Sequence, residues 1–298
     1  MSTRKEFIKS ATYVTAGSLI LPAVACTPGK KDTNENNAEE ATVPKRMESG
    51  IQVYSVRNQL IEDFADTMVK IAEIGYKLIE GYGLGLDGVF LGKISPEDYK
   101  KTVTDLGMKL VATHCSYFTS DDASKMIEAA HKAGIEYLII PGIPRDNRET
   151  IDGYKKVAEN FNKIGEQCNA SGLKFGYHNH AFEFEKLEDQ IPQEVLINET
   201  EQDLVAFEAD LFWATKGGYD PVKLIKKFPG RIKLFHVKDA TAELGEATVG
   251  QGVIDFKAIF EAGKKSGLVY YFIEDEREDD PFANIKADHD YIVAQDFV

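Results

Sequence analysis

Phe175-Gly176-Tyr177-His178-Asn179-His180 is a short strand-like run that ends in two histidines one residue apart. Three later runs close in the same manner: Ala206-Phe207-Glu208-Ala209-Asp210, Lys233-Leu234-Phe235-His236 and Tyr270-Tyr271-Phe272-Ile273-Glu274. Each ends in a side chain able to bind a metal. Four such ends in one half of a chain point to a metal site at the mouth of a barrel, where parallel strands bring their C-terminal ends together.

Working outward from residue 175, apolar runs alternate with helical patterns from Ser49 onward. The strands predicted upstream cover residues 51–55, 77–80, 109–113 and 137–140; those downstream cover 173–177, 204–209, 232–235 and 268–273. Helices are predicted over 60–74, from Pro96, and over 121–133, 148–170, from Asp220-Pro221, 255–265 and 282–295. Gly75, Gly107, Gly134 and Gly172 close the first four. Eight strands alternating with helices over about 250 residues match a single α/β domain, a (β/α)8 TIM barrel. A doubly wound open sheet is the competing topology. It lacks support because the first strand–helix turn carries no phosphate-binding glycine pattern. The Gly81-Tyr82-Gly83-Leu84-Gly85 loop follows the second strand and lacks the third glycine such a site requires.

The 298 residues are 43% hydrophobic and 28% charged, a globular balance, with a net charge of −14. No basic cluster in the body offers the face that nucleic acid requires, so a nucleic-acid partner is not expected. Cys26, Cys115 and Cys168 have no zinc-site or disulfide spacing. Residues 1–26 read as an export signal: Arg4, Lys5 and Lys9, an uncharged stretch over 11–25, then Ala23-Val24-Ala25 before Cys26. They resemble a bacterial lipoprotein signal, with Ala23 in place of the usual leucine, and also a twin-arginine signal, with Lys5 in place of the second arginine. The expected location is therefore the bacterial envelope, periplasmic or lipid-anchored, with the anchor as the sole membrane attachment. Residues 27–48 are polar and aperiodic and read as a flexible linker. Residues 1–48 carry seven Lys/Arg and six Asp/Glu, which leaves −15 on the folded body, residues 49–298. A homo-oligomer stays open.

Read in order, the strand ends offer Gln52 with Tyr54, Glu80, His114, Pro141-Gly142, His178 with His180, Asp210, His236 and Glu274. Side chains alternate along a strand, so His178 and His180 share a face if the strand runs that far. Mixed imidazole and carboxylate donors suit one divalent ion: Mn²⁺, Mg²⁺, Co²⁺, Fe²⁺ or Zn²⁺.

Residues 50–298 resemble the xylose-isomerase-like TIM barrels described as sugar phosphate isomerases/epimerases. The resemblance rests on Ile51-Gln52-Val53-Tyr54-Ser55-Val56-Arg57, Tyr177-His178-Asn179-His180, Asp210-Leu211-Phe212-Trp213, His236-Val237-Lys238-Asp239, Gly250-Gln251-Gly252-Val253-Ile254-Asp255-Phe256 and Ile273-Glu274-Asp275. It implies a metal held by Glu, Asp, His and Glu from strands five to eight. Asp210, His236 and Glu274 match the last three, and His178 stands where the glutamate is expected. His178 is the favoured strand-five ligand, with His180, or Glu183 reaching back, as alternatives.

The resemblance also implies a small carbohydrate substrate, a sugar, keto-sugar or cyclitol, and proton abstraction beside its carbonyl. Two outcomes follow, isomerisation or epimerisation on one hand and a lyase or dehydratase reaction on the other. The His-Asn-His variant resembles the inosose-dehydratase and keto-sugar branch. Glu274 is the candidate base, with His180, Lys238 and His114 as proton donors or oxyanion stabilisers. Gln52, Glu80, Trp213 and Arg277 are candidate substrate contacts, Glu208 a partner behind Asp210, and Arg277 has Asp275 as its other partner. His131 and His289 are expected to face solvent. A DNA-cleaving relative of the same barrel is disfavoured, because Trp213 occupies the position of its metal-binding histidine. A barrel that binds sugar without chemistry is the third reading.

Overall fold

The computed structural model describes residues 46–298. The export signal and nearly all of the linker therefore lie outside the described residues. Among the described residues no helix is long and apolar enough to cross a membrane.

Eight parallel strands close a barrel: β1 (Gly50–Gln52), β2 (Leu78–Leu84), β3 (Lys109–Cys115), β4 (Tyr137–Ile140), β5 (Lys174–His178), β6 (Val205–Asp210), β7 (Ile232–Val237) and β8 (Tyr270–Ile273). They pair in chain order, and β1 joins β8 to complete the ring. A small antiparallel hairpin, Asp239–Ala240 with Glu246–Ala247, stands beyond β7.

The helices end where local chemistry ends them. Asp63 breaks the long helix expected over 60–74 into Arg57–Glu62 and Phe64–Ile74, because its backbone is extended and its carboxylate accepts from Asp66 N. Gly75, Gly134 and Gly267 take the left-handed conformation that closes a helix. Two short helices, Pro192–Glu199 and Leu211–Lys216, were not anticipated. The second begins at Asp210, whose side chain accepts from Trp213 N.

Two apolar layers result. Outward strand residues such as Phe175, Tyr177, Phe207, Phe235 and Tyr271 pack against the helices. Leu78, Tyr137, Ile139, Leu234 and Phe272 form a second apolar cluster together with Val111 and Ala112. Gly176 leaves room for Ile139: a Cβ at this position would lie 2.6 Å from Ile139 Cδ1 and push that side chain aside.

His131 is exposed as expected, but His289 is buried. The helix Pro281–Ala294 turns His289 inward onto Ser49 Oγ, at 3.2 Å, and against the Tyr76 ring.

Candidate metal centre

Register delivers the site. Asp210 on β6 is the direct partner of His236 on β7, and His178 on β5 is the partner of Glu208 on β6. Two residues apart on one strand, Glu208 and Asp210 face the same way. Glu80, Glu208, Asp210 and His236 are completely buried.

His236 is the hinge of the cluster. Its Nδ1 lies 3.1 Å from Glu274 Oε2 and 3.9 Å from Asp210 Oδ2. Its Nε2 lies 2.6 Å from Glu80 Oε2 and 3.1 Å from Glu208 Oε2. Asp210, His236 and Glu274 each offer a ligand atom within 4.8 Å of the others, and so do His114, His178, Glu208 and His236. Of the four residues expected to bind metal, the structure thus gathers Asp210 and Glu274 on the Nδ1 side of the third, His236. It places His178 on the other, where its Nδ1 lies 3.2 Å from Glu208 Oε2. Glu208, read from sequence as a partner behind Asp210, is a centre in its own right.

The electrostatics suit a cation. Burial pushes the Asp210 carboxyl up to about 7, and burial with Glu208 nearby does the same to Glu80. Asp210 Oδ2, Glu80 Oε1 and Glu208 Oε1 have no hydrogen-bond partner among the described residues. Asp210 and Glu80 are pressed toward protonation, while the surrounding imidazoles hold Glu208 ionised despite its burial; free oxygens on such groups are what a divalent ion would satisfy. Asp210, His236 and Glu274 therefore fit such an ion. Although burial opposes ionisation, His236 and Lys238 hold the Glu274 carboxyl well below the usual range.

Above this layer is a cavity of about 410 Å³ whose walls include Tyr54, Tyr82, His114, His178, His180, Trp213, Glu274 and Glu276. His180 lies just past the end of β5. Its backbone N–H donates to Glu183 Oε2 at 2.9 Å, and its ring tilts against Trp213. Burial lowers this imidazole to about 4, so it is neutral at pH 7, and its Nδ1 has no partner among the described residues. Glu183 does not reach back toward the cluster; it is engaged by Tyr177 OH and by the His180 backbone. Lys238 is buried, forms ion pairs with Glu246 and Glu276, and lies 4.0 Å from Glu274 Oε2.

Of the expected substrate contacts, Trp213 lines the cavity. Gln52 is turned back, its Oε1 accepting from Tyr54 N at 3.0 Å to cap the short helix that follows β1. Glu80 lies beneath the cavity on His236, and the Arg277 guanidinium grips Asp275. Tyr54, offered by the first strand end, lines the cavity, and Tyr82 and Glu276 are wall residues that strand-end reasoning missed. Tyr54 and Glu276 follow β1 and β8, and Tyr82 lies two residues past Glu80 within β2.

The fold and the buried site define a class: residues 68–295 match the xylose isomerase-like TIM barrel family, and the chain belongs to it. More particularly, it is similar to a crystal structure from Parabacteroides distasonis described as a sugar phosphate isomerase/epimerase. The two are 27% identical with a TM-score of 0.77, over 88% of this chain and 99% of that one. It is 24% identical to the inosose dehydratase of Clostridium perfringens over 67% of this chain and 81% of the relative. With the inosose dehydratase of Clostridium beijerinckii it shares 27% identity, over 44% of this chain and 49% of the relative. The chain thus spans about half the length of that last relative.

Proposed function

We propose that this chain is a divalent-metal-dependent enzyme that removes a proton beside the carbonyl of a sugar, keto-sugar or cyclitol. The observation that carries the reading is the convergence of Asp210, His236 and Glu274 beside a cavity walled by an unpartnered neutral imidazole, His180. The similarity to sugar isomerases/epimerases and inosose dehydratases supports the substrate class.

A divalent ion held by Asp210, His236 and Glu274 would polarise the carbonyl and make the neighbouring C–H more acidic. His180, whose neutral ring lines the cavity, accepts that proton. Glu274 is the poorer base because His236 and Lys238 stabilise its ionised form, so its part is to bind. Lys238, kept charged by its carboxylate neighbours against the cost of burial, stabilises negative charge developing on oxygen. Trp213 offers a flat apolar face to the sugar's C–H edges, and Glu276 accepts from a hydroxyl.

Elimination is the second reading. With His178 in place of a carboxylate, the site lacks a matched pair of glutamates for taking and returning protons on two faces. This favours a single abstraction followed by departure of a hydroxyl. We also place the enzyme in the cell envelope on the strength of residues 1–26.

Metal-loaded protein incubated in deuterated water with a panel of keto-sugars and an inosose tests the proposal. Deuterium at the carbon beside the carbonyl is expected. Inverted stereochemistry there identifies an epimerase, and loss of one water identifies a dehydratase. Saturable sugar binding without exchange on any substrate identifies a binding protein and overturns the enzymatic reading. Labelled palmitate incorporated at Cys26, and absent from Cys26→Ser, tests the envelope location.

A further inference from the structure

The second cluster around His236 is unexplained by the proposed chemistry. Glu208 Oε2 faces three imidazole nitrogens at once: His114 Nε2 at 2.8 Å, His236 Nε2 at 3.1 Å and His178 Nδ1 at 3.2 Å. Two of these contacts, from His114 and His178, are hydrogen bonds and fill its two lone pairs, whereas His236 Nε2 is hydrogen-bonded to Glu80 Oε2. Meanwhile Glu208 Oε1 and Glu80 Oε1 are buried without a partner among the described residues. Hydrogen bonding alone leaves these two buried carboxylate oxygens idle.

We propose that His114, His178 and Glu208, with His236 Nε2 as a shared fourth ligand, form a second metal site distinct from Asp210–His236–Glu274. The four ligand atoms lie within 4.8 Å of one another, so a small inward shift brings them to the spacing that one ion with bonds of about 2.0–2.2 Å requires. Three imidazoles and a carboxylate suit Zn²⁺, Co²⁺ or Fe²⁺ rather than Mg²⁺ or Ca²⁺. All four residues are buried. Four protein ligands and no solvent position describe a closed, structural site.

His236 turns one ring nitrogen to each site, and an ion on Nε2 takes the place of its hydrogen bond to Glu80 Oε2. Filling both requires both ring protons to leave, so the second ion releases a proton on binding. This second ion fixes the rings of His178 and His236, and its ligands His114 and His178 also line the cavity. The inference shares His236 with the reading above, but the two are separable because their other ligands differ.

Metal-free protein equilibrated with Zn²⁺, freed of excess and analysed for bound metal provides the test, with Co²⁺ absorption as a spectroscopic check. Two equivalents are expected in the intact chain. Asp210→Asn should keep one. Glu208→Gln and His114→Asn should each also keep one, and the Co²⁺ band that survives in them should be the one missing from Asp210→Asn. The His114 variant, at the cavity edge, guards against a folding defect in the deeper Glu208 variant. A single equivalent that Asp210→Asn removes and Glu208→Gln retains overturns the second site and leaves the proposed centre intact. A single equivalent with the opposite pattern supports the second site and removes the first.

Discussion

Glu80 Oε2 lies 2.6 Å from His236 Nε2, although β2 and β7 do not pair with each other. A carboxylate on one imidazole nitrogen sets which nitrogen is presented elsewhere, and here it leaves Nδ1 facing Asp210 and Glu274. Glu80→Gln keeps the shape but weakens that control. Metal affinity at the Asp210–His236–Glu274 site, measured by competition with a chelating dye, is expected to fall about 10–100-fold. Unchanged affinity would show that Glu80 does not orient the ring.

Asp210 divides its carboxylate between two tasks. Oδ1 accepts from Trp213 N at 2.7 Å and starts the helix Leu211–Lys216, while Oδ2 has no partner among the described residues. Asp210→Asn keeps the cap acceptor but removes the anionic ligand, so it should lose that site's metal and turnover while remaining folded. Chelation of the unmodified protein should lower its melting temperature and added Mn²⁺ should restore it, since an ion at 100 times its Kd stabilises by about 2.7 kcal/mol. Full turnover in Asp210→Asn would remove Asp210 from the site.

His180→Gln separates binding from proton transfer. Its side chain is not among the clustered ligands, so metal content should stay the same. Turnover and deuterium exchange should both fall by about 10²–10⁴-fold, the usual worth of a positioned acid or base. A rise in KM with kcat unchanged would instead make His180 a binding residue.

The barrel was legible because its punctuation is local: glycines close helices, and apolar runs of strand length recur between them. Asp210, His236 and Glu274 were legible because each ends a run, which in a parallel barrel places them at one mouth. Glu208 was undervalued for a physical reason. Its importance comes from rings on β3, β5 and β7 that meet only when the barrel closes, and no local pattern encodes that meeting. Gln52 looks free in sequence, yet it is consumed within two residues by Tyr54 N, and Arg277 takes the Asp275 partner that its spacing already offered. His289 was misjudged because helical periodicity gives a face without naming what packs on it.

Asp288 gives the fold a pH dependence away from the metal centre. It is buried, its Oδ1 accepts from Val249 N at 2.8 Å, and Oδ2 has no partner among the described residues. Burial, with Asp275 adding repulsion and Arg277 offsetting part of it, pushes this carboxyl up to about 8. An unfolded aspartate titrates near about 3.9. Between those values the folded state holds the extra proton, so this group's contribution to stability falls as pH rises from about 4 to about 8 and is flat outside that window. Asp288→Asn retains an oxygen for Val249 N and cannot ionise. It should unfold like the unmodified chain near about pH 4 and be the more stable protein near about pH 8, by roughly 1–3 kcal/mol, the penalty for a poorly satisfied buried polar group. Urea unfolding across that range is the measurement. Parallel pH profiles for the two proteins would show that Asp288 carries no such linkage.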